Sequence, residues 1–571
     1  MTGLFGLFRL DPQGPPPDLA LGRVLARGGR ELRSHHGTSS AVFLEGGEGS
    51  LHEEPELCVA VVGRPSTLAA LRTELEEGGE VSGLNEAGLL AAAFRRWGED
   101  CMDRLSGPFA AAILDRSRHG CLIFGDEFGR WPLFVRINER EIAFSTRLTP
   151  MLEAGVFPRI LDPDAATAYF RYGLVPGPMT LLRGIRALGP GARLIASRDG
   201  ARIRPGAIRL DAPDDVTDLE THYRRTTELL RARVRRAFEG RSDLVMPLRP
   251  SLEEQLLLRL LPPRTRSLGA ELPEGDGAAR AAQLADRSHA ELKLQPDADG
   301  LDRVFGAFEQ PLAGEAGFRA DAALRWAKRN GAQVVDGTGG AAIFAADPRY
   351  PEILVQDAIR RSLPRRLQRM GGRSLGSRLL GTTEEDLFPA GPGLQFLSED
   401  FRLGLSPEPA LGERTDGTVA SLQQLDFEQR TGTGQAPLRW ALAQLHSVGW
   451  SMPFLDRELV TAVGKWPLRA RTEGPEAGVG VRHLGRLLFG GFALEPTQPG
   501  GSAADAWLRG PFREPAETVF FGRNGGVSGI LHPRRLRRLW YGHQLGRSSG
   551  RVLLGLLMFE WACHRLFERT R

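Results

Sequence analysis

Few residues in this chain have the types and spacing that chemistry requires. The four cysteines lie far apart, with no C-x-x-C pair and no metal-ligand spacing: Cys58, Cys101, Cys121 and Cys563. This pattern indicates neither a disulfide framework nor a zinc site. The 74 basic residues include only three lysines, which are Lys293, Lys328 and Lys465. A mechanism that needs a lysine therefore has three candidates.

Two short segments concentrate carboxylates or glycines. Glu253 and Glu254 fall at the start of a predicted helix, where the helix dipole stabilises acidic side chains. Asp336 opens the segment Asp-Gly-Thr-Gly-Gly, whose glycines are typical of a tight turn. Taken alone, each segment has a structural explanation.

Composition limits the class of protein. The chain has 571 residues, of which 41% are apolar and 25% charged, as in ordinary globular proteins. The formal net charge is 74 − 70 = +4, too small for a dedicated nucleic-acid binder. We find no secretory signal pattern and no apolar run of about 18 residues, and therefore expect a cytoplasmic protein without a membrane span.

The elements that must position these residues change in character along the chain. The first part predicts short strands and one or two helices, among them a buried strand at Leu57–Val62 and a helix capped by Asn85 and ended by Gly98. From residue 217 onward, helical patterns alternate with short apolar strands. This alternation favours a parallel sheet with helices on both faces.

Other segments give weaker signals. We interpret His35 and His36 as loop residues, and His289 with Glu291 as a structural pair. Residues 371–433 carry no clear signal and are predicted to be irregular.

Short motifs occur in a fixed order along the chain. They are Phe5-Gly6-Leu7-Phe8, Leu105-Ser-Gly-Pro-Phe-Ala-Ala-Ala-Ile-Leu-Asp115, Gly125-Asp126-x-x-Gly129-x-x-Pro132-Leu133, Val334-Val-Asp-Gly-Thr-Gly-Gly-Ala-Ala-Ile-Phe344 and Pro453-Phe-Leu-Asp456. In order and spacing, this set resembles the glutamine-dependent asparagine synthetase family.

The resemblance implies a two-domain α/β protein. Residues 1–205 would form a class II glutamine amidotransferase-like domain, an N-terminal nucleophile (Ntn) αββα sandwich. Residues 206–571 would form an ATP-pyrophosphatase-like domain with a parallel sheet. In that family, ammonia released from glutamine in the first domain reaches an adenylated carboxylate in the second.

The glutaminase motifs depart from the family pattern. The family places a cysteine nucleophile directly after Met1, whereas this chain has Thr2, a poorer nucleophile at neutral pH. The oxyanion-hole motif Asn-Gly-Glu aligns with Val62, Gly63 and Arg64. Only Glu86 is left as a candidate for binding the glutamine amine, and a first-turn helix acid explains it better.

The pyrophosphate loop departs in the same way. The resemblance assigns the vestigial nucleotide site to Leu248, Arg249, Pro250, Ser251, Glu253, Glu254, Leu268, Asp336, Gly337, Thr338, Gly339 and Gly340. Where the family has Ser-Gly-Gly-x-Asp-Ser-Ser, proline removes an amide donor and two carboxylates face the position of polyphosphate. The acids that follow the second glycine loop in the family are alanines here, and an alanine can neither bind metal nor accept a proton.

Three hypotheses follow from this pattern. The leading one is a catalytically degenerate homologue, without cofactor or metal, that acts as a scaffold, regulator or partner subunit in amide-forming biosynthesis. The second is an active ATP- and Mg²⁺-dependent ligase in which Glu253, Glu254 and Asp336 replace the metal ligands. The third is an Ntn hydrolase that uses Thr2. We expect a protein partner or an intact homologue, with homodimerisation left open, and neither nucleic acid nor membrane.

Overall fold

The computed structural model of the chain describes residues 2–11, 20–27, 29–76, 83–210, 218–249, 251–270, 277–294, 299–347, 349–350, 391–403, 419–472, 477–490, 502–522 and 528–568, together with residues 13, 17, 81 and 296. No helix within these ranges is long and apolar enough to cross a membrane.

Twelve strands in the described first part form two antiparallel sheets of six. The strands are β1 (Gly3–Arg9), β2 (Leu32–His36), β3 (Ser40–Glu45), β4 (Gly49–Glu53), β5 (Leu57–Gly63), β6 (Phe109–Asp115), β7 (Gly120–Gly125), β8 (Phe134–Ile137), β9 (Glu141–Ser145), β10 (Arg186–Ala187), β11 (Arg193–Ser197) and β12 (Gly200–Arg204). The spatial orders are β10-β8-β9-β1-β3-β2 and β12-β11-β7-β6-β5-β4.

Strand alternation decides how these sheets pack. In β1, Leu4 and Phe8 face the second sheet and join a core with Val62, whereas Phe5 and Leu7 face the opposite way, into a larger core. Successive side chains of a strand point to opposite faces, so each sheet is apolar on both sides. The two sheets therefore form the inner layers of a sandwich.

Helices cover both outer faces. The helices of this part are α1 (Ala20–Arg27), α2 (Leu68–Glu76), α3 (Glu86–Trp97), α4 (Thr149–Glu153) and α5 (Pro163–Tyr172), with a 3₁₀ turn at Gly98–Arg104. As predicted, Asn85 caps α3 by accepting from the Gly88 amide, and Gly98 ends it with a positive φ. Helices α2 and α3 pack on the second sheet, while α1, α4 and α5 join the core behind the first. The αββα architecture that the resemblance implied is confirmed.

The remaining strands form a five-stranded parallel sheet. They are β13 (Leu244–Pro247), β14 (Arg266–Ala270), β15 (His289–Leu292), β16 (Gln333–Val335) and β17 (Trp450–Ser451), in the order β15-β14-β13-β16-β17. The strand order reverses between β13 and β16. This places a crevice at their carboxyl ends, where open α/β sheets bind ligands.

Helices surround this sheet. The described ones are α6 (Leu219–Phe238), α7 (Leu252–Leu260), α8 (Ala278–Leu284), α9 (Gly300–Phe308), α10 (Ala316–Arg329), α11 (Gly340–Ile343), α12 (Glu399–Leu403), α13 (Val419–Leu425), α14 (Ala436–His446), α15 (Arg457–Gly464), α16 (Leu468–Thr472), α17 (Val479–Phe489), α18 (Ala504–Arg509), α19 (Arg513–Phe521), α20 (Pro533–Gln544) and α21 (Gly550–Phe567). A 3₁₀ turn lies at Leu394–Phe396, and a π-helix at Asp426–Gln435 joins α13 to α14.

Two sequence interpretations are wrong. His35 and His36 lie in β2, not in a loop, and the buried His35 is 2.9 Å from Glu53 through Nδ1 and Oε1. Residues 419–433 are helical rather than irregular, because α13 continues directly into the π-helix. Residues 371–390 and 404–418 lie outside the described residues.

Candidate functional site

The crevice of the parallel sheet collects most of the predicted nucleotide-site residues. Strand β13 ends at Pro247 and delivers Leu248 and Arg249 to the crevice, and β16 ends at Val335 and delivers Asp336. The amide of Leu248 donates to the Leu268 carbonyl at 2.8 Å, which extends the ladder to β14. Because β13 also pairs in parallel with β16, the loops that follow these two strands are adjacent.

The Asp336 carboxylate is held from two sides. Its Oδ1 accepts from the Thr338 amide at 3.0 Å, and its Oδ2 accepts from the Thr338 hydroxyl at 2.7 Å. Arg439, from α14, places Nε 2.9 Å from the same Oδ2. Burial lowers the pKa of Arg439, and the Asp336 charge opposes this effect. The carboxylate is thus neutralised within the protein.

Glu254 is neutralised in the same way. Its Oε1 accepts from Nε and Nη2 of Arg249 at 3.0 and 2.8 Å, and its Oε2 accepts from the Arg249 amide. The Glu254 side chain is only 2% exposed, whereas that of Arg249 is 46% exposed. The carboxylate of Glu254 raises the pKa of Arg249. The Glu254 carboxylate is therefore paired with Arg249. Stabilising this arginine, and not the expected repulsion of a polyphosphate, is the main effect of its charge.

Glu253 is the least satisfied member of the cluster. Its Oε1 accepts from the Ser251 hydroxyl at 2.8 Å, but its buried Oε2 has no hydrogen-bond partner among the residues that the structure describes. Burial, with the nearby charge of Glu254, raises the pKa of Glu253 from 4.5 to about 7. This carboxyl therefore keeps its proton to a higher pH than an ordinary glutamate does.

The two glutamates also occupy space. A Cβ added at Gly337 would lie 2.5 Å from Cγ of Glu254, and one at Gly340 would lie 2.7 Å from Cγ of Glu253 and 2.8 Å from the Phe454 ring. Contacts this short do not occur in real proteins, so the glutamate stems fill the room above the second loop. The glycines of that loop are therefore positions where the protein's own side chains come close to the backbone.

The structure thus brings together most residues of the predicted nucleotide site. Those in the two loops, or in the strand and helices next to them, are Leu248, Arg249, Ser251, Glu253, Glu254, Leu268, Asp336, Gly337, Thr338, Gly339 and Gly340. Pro250 lies outside the described residues. Sequence reasoning missed Arg439, since a single arginine in a helical segment gives no sign that it reaches Asp336.

No group of three or more His, Cys, Asp or Glu side chains is arranged to hold a metal ion within the described ranges. Glu253, Glu254 and Asp336 are close in the fold, but Glu254 and Asp336 each pair with an arginine. The donor set of carboxylate oxygens would suit Mg²⁺. Binding would require both ion pairs to open.

The predicted glutamine site lies in the first part of the chain, at β1 and β5. Thr2 is buried and directly precedes β1, while Val62 and Gly63 end β5. The Gly63 amide donates to the Glu48 carbonyl at 3.3 Å, and the Arg64 amide donates to the Pro108 carbonyl at 3.1 Å. An oxyanion hole needs free donors aimed at the developing charge. Both of these backbone donors are already engaged.

The side chains near this site are engaged or exposed. Arg33 donates through Nη1 to the Gly49 carbonyl at 2.8 Å and through Nε to Glu31 at 2.9 Å. Arg64 is 86% exposed, and its Nε lies 3.8 Å from Oε1 of Glu86. Glu86 sits in the first turn of α3, as the structural explanation predicted.

A cavity lies between the two parts of the chain. It has a volume of about 640 Å³ and is lined by Phe109 and Glu127 on one side and by Arg457 and Lys465 of the other part. Burial raises the pKa of Glu127. Sequence analysis did not single out any of these residues as a site.

Comparison with known protein families identifies the family of this chain. A profile described as a glutamine amidotransferase domain matches residues 47–205, and one described as asparagine synthase matches residues 256–563, more than half of the chain. The chain belongs to the asparagine synthase family. The family match covers the crevice residues from 256 onward, including Asp336 and Arg439.

Individual relatives match over shorter segments. Asparagine synthetase [glutamine-hydrolyzing] 3 and 1 of Bacillus subtilis (strain 168) are 27% identical over 135 residues and 26% identical over 156 residues. These segments cover 23% and 27% of this chain and 22% and 24% of those proteins. A putative asparagine synthetase of Mycobacterium bovis (strain ATCC BAA-935 / AF2122/97) is 31% identical over 105 residues, or 18% of this chain and 16% of that protein. The chain thus spans about a quarter or less of the length of the curated relatives it matches.

Two solved structures are similar at low identity. One is described as the allosteric regulatory enzyme of purine biosynthesis, with 13% identity, a TM-score of 0.26 and coverage of 51% of this chain and 64% of that one. The other is glutamine phosphoribosylpyrophosphate amidotransferase from B. subtilis, with 12% identity, a TM-score of 0.26 and coverage of 58% and 81%.

Proposed function

We propose that this chain is a catalytically degenerate member of the asparagine synthase family that acts as a scaffold, regulator or partner subunit in amide-forming biosynthesis. The observation that carries the proposal is the crevice cluster: Arg249 with Glu254, Arg439 with Asp336, and Glu253. Side chains of the protein itself fill and neutralise the place where the family binds pyrophosphate.

The physical argument is competition. A phosphate-binding loop works because backbone amides and glycines leave room for a polyanion. Here the stems of Glu253 and Glu254 occupy that room, and the Arg249 amide already donates to Glu254. A nucleotide would have to displace both glutamates and expose two arginine–carboxylate pairs. The free energy of nucleotide binding would first have to offset the free energy lost when these contacts break.

The first part of the chain supports the same proposal. Thr2 is a weak nucleophile, because its hydroxyl is almost wholly protonated at neutral pH. The amides of Gly63 and Arg64 are bonded to backbone carbonyls. Loss of one oxyanion donor lowers the rate by roughly 10²–10³-fold. The predicted glutamine site and the predicted nucleotide site therefore both lack free groups that could stabilise a ligand or a transition state.

Calorimetric titration of the full chain with ATP and Mg²⁺ tests the proposal directly. We expect no saturable heat at millimolar nucleotide, and no ATP–pyrophosphate exchange across a panel of carboxylic acids. Gly306→Ala, a substitution in α9 outside the crevice, provides a folded control with the same expected result. Saturable Mg²⁺-ATP binding would overturn the proposal.

One observation favours the ligase alternative. The unpartnered Oε2 of Glu253 is an oxygen that a metal ion could use. If the chain is a ligase with Glu253, Glu254 and Asp336 as metal ligands, pyrophosphate exchange will appear and will vanish in Glu253→Ala. If the parent chain shows no exchange, that result will count against this alternative.

A scaffold or subunit also requires a partner. We propose a protein partner, such as an intact homologue, rather than a nucleic acid or a membrane surface. Co-purification of a tagged full chain from its native source, followed by a search for a companion with complete pyrophosphate-loop motifs, tests this. Recovery of the chain alone, at native concentration, would contradict it.

A further inference from the structure

Helix α20 carries the most exposed large apolar side chains in the part of the chain that the structure describes. Tyr541 is 61% exposed, and Leu545, directly after the last helical residue, is 88% exposed. The opposite face of the helix is buried through Leu536, Trp540 and His543. Single exposed apolar residues are ordinary, but two that lie four residues apart on a helix are neighbours. Tyr541 and Leu545 therefore form one small apolar surface.

Arginines continue this surface towards the start of the helix. At about 100° per residue, Arg534, Arg538, Tyr541 and Leu545 fall within about 60° of one another around the helix axis, and Arg537 lies at their edge. The three arginines are exposed. From Arg534 to Leu545 the helix rises about 16 Å. We call these five residues the α20 stripe; it is basic in its first half and apolar in its second.

No acid balances the arginines of the stripe. The sequence between Glu517 and Glu560 contains seven arginines and no Asp or Glu, whereas the average of the whole chain would give about five acids. Glu517, on the neighbouring helix α19, pairs with Arg513 at 3.3 Å. Within the described ranges, Arg534, Arg537 and Arg538 have no ion pair. Their charge is therefore directed at solvent.

The placement of these arginines is unfavourable for the helix itself. The amide groups at the start of a helix give it a positive end that favours acids, and like charges four residues apart repel each other. Helix α20 has no acid in its first turn, and Arg534 and Arg538 are four residues apart. Carboxylates of a partner placed on the stripe would relieve both effects. The stripe is therefore complementary to an acidic surface.

We propose that the α20 stripe docks an acidic amphipathic helix of a partner protein, with carboxylates on Arg534 and Arg538 and aliphatic side chains on Tyr541 and Leu545. Arginine and tyrosine are residue types that commonly dominate the binding energy of protein interfaces. The ring of Phe521 stacks on that of Tyr541, with centroids 6.4 Å apart, and holds it in position. The proposal rests on that part of the proposed function which calls for a protein partner.

A membrane and a nucleic acid fit the stripe less well. A helix that lies on a membrane buries a broad apolar face, whereas the broad apolar face of α20 is already packed against the protein through Leu536 and Trp540. Binding to a nucleic acid backbone is governed by charge, which gives no role to Leu545. The pairing of basic and apolar halves on one helix face favours a protein.

Photo-crosslinking tests the contact. The photoreactive amino acid benzoylphenylalanine replaces Leu545 in the full chain, expressed in its native source. We expect a cross-link to one protein, in a segment that carries Asp or Glu at helical spacing. The same replacement of Ile137, an exposed residue of β8, is the matched control and should not give this product.

Absence of a product at Leu545 would overturn the proposal. A cross-link to lipid, to nucleic acid, to a second copy of this chain or to a segment without acids would overturn it as well. A companion that co-purifies with the chain but does not cross-link at Leu545 would overturn the docking surface and leave the proposed function intact. Saturable Mg²⁺-ATP binding would overturn catalytic degeneracy and leave the docking surface intact.

Charge exchange with the purified cross-linked protein separates docking from chance capture. Arg538→Glu should weaken its binding by about tenfold or more, and changing the facing acid of the partner to Arg should restore binding. Arg231→Glu, at an exposed arginine of α6, is the matched control and should leave the affinity unchanged. Undiminished binding by Arg538→Glu, or an exchange that fails to restore binding, would overturn the proposal. Since Arg538 is exposed, its reversal should leave the thermal unfolding transition in place.

Discussion

Arg439 and Asp336 form a buried ion pair that links α14 to the end of β16. Nε of Arg439 lies 2.9 Å from Oδ2 of Asp336, and their side chains are 9% and 6% exposed. Arg439 also donates through Nη1 to Gln435 at 3.1 Å, in the π-helix. The glycine loop after β16 is thereby fixed to a helix that is distant in sequence.

We expect Arg439→Met to lower the free energy of unfolding by about 3–5 kcal/mol. Removal of one member of a buried pair leaves the other charge desolvated without a partner. The measurement is the shift of the urea or thermal unfolding transition of the full chain.

Arg202→Met provides the comparison for that variant. Arg202 is 62% exposed and lies 3.9 Å from Glu99, so its loss should change stability by less than about 1 kcal/mol. Equal shifts for the two variants would show that the Arg439–Asp336 pair is not a stabilising contact.

A methyl group at Gly340 should destabilise the chain. Gly340→Ala would place its Cβ 2.7 Å from the Glu253 stem and 2.8 Å from the Phe454 ring, and overpacking of this kind costs about 1–3 kcal/mol. The Cβ of Gly306→Ala in α9 meets no atom of the described part of the chain within 4 Å, and this variant should be neutral or slightly stabilising. Thermal unfolding of both variants checks the pair, and an unchanged transition for Gly340→Ala would mean that the crevice has free space.

Glu253 should make stability depend on pH. Its pKa is about 7 in the folded chain and 4.5 ordinarily, so the folded state binds more protons between these values. The contribution of Glu253 to the free energy of unfolding is fully present below about pH 4.5. It falls as the pH rises towards 7 and does not change further above that pH. The size of the effect is about 3 kcal/mol.

Comparison with Glu253→Gln isolates this contribution, because the amide resembles the protonated acid and all other titrations cancel. We expect the difference in unfolding free energy to shift in favour of the variant between pH 5 and pH 8. A difference that is constant across this interval would contradict the raised pKa.

We expect a cysteine at position 2 to give no glutaminase activity. Thr2→Cys supplies the stronger nucleophile, but the Gly63 and Arg64 amides stay bonded to the carbonyls of Glu48 and Pro108. Ammonia release from glutamine is the measurement, with Thr2→Ala as the matched variant. Ammonia release by Thr2→Cys would contradict this prediction. Turnover in the parent chain that disappears in Thr2→Ala would favour the Ntn hydrolase hypothesis.

Local sequence signals predicted those features of the fold that depend on a single helix or strand. Asn85 and Gly98 mark the ends of α3 because their caps need only neighbouring backbone groups. The apolar run at Leu57–Val62 predicted β5 because both faces of that strand are covered. His35 was misjudged, since its burial depends on β3 and on Glu53, which lie elsewhere in the sequence.

The candidate site was predictable only in part. The order of the motifs along the chain located the loops at Ser251 and Asp336, because the segments that resemble the family fix the alignment on either side. The partners of those loops could not be predicted: Arg439 and the cavity residue Glu127 act through tertiary contacts that no spacing records. The same reason explains the π-helix, which continues α13 through a segment without helical periodicity.

Helix α5 of the first part packs directly on α21 near the end of the chain. The Tyr169 hydroxyl donates to the Gly555 carbonyl at 2.7 Å, and the rings of Phe170 and Phe559 are 5.0 Å apart. One apolar core therefore runs through both parts. Deleting the amidotransferase-like half would strip the C-terminal helix of its cover and leave an aggregation-prone surface. We therefore expect the first part of the chain to be required for the stability of the second.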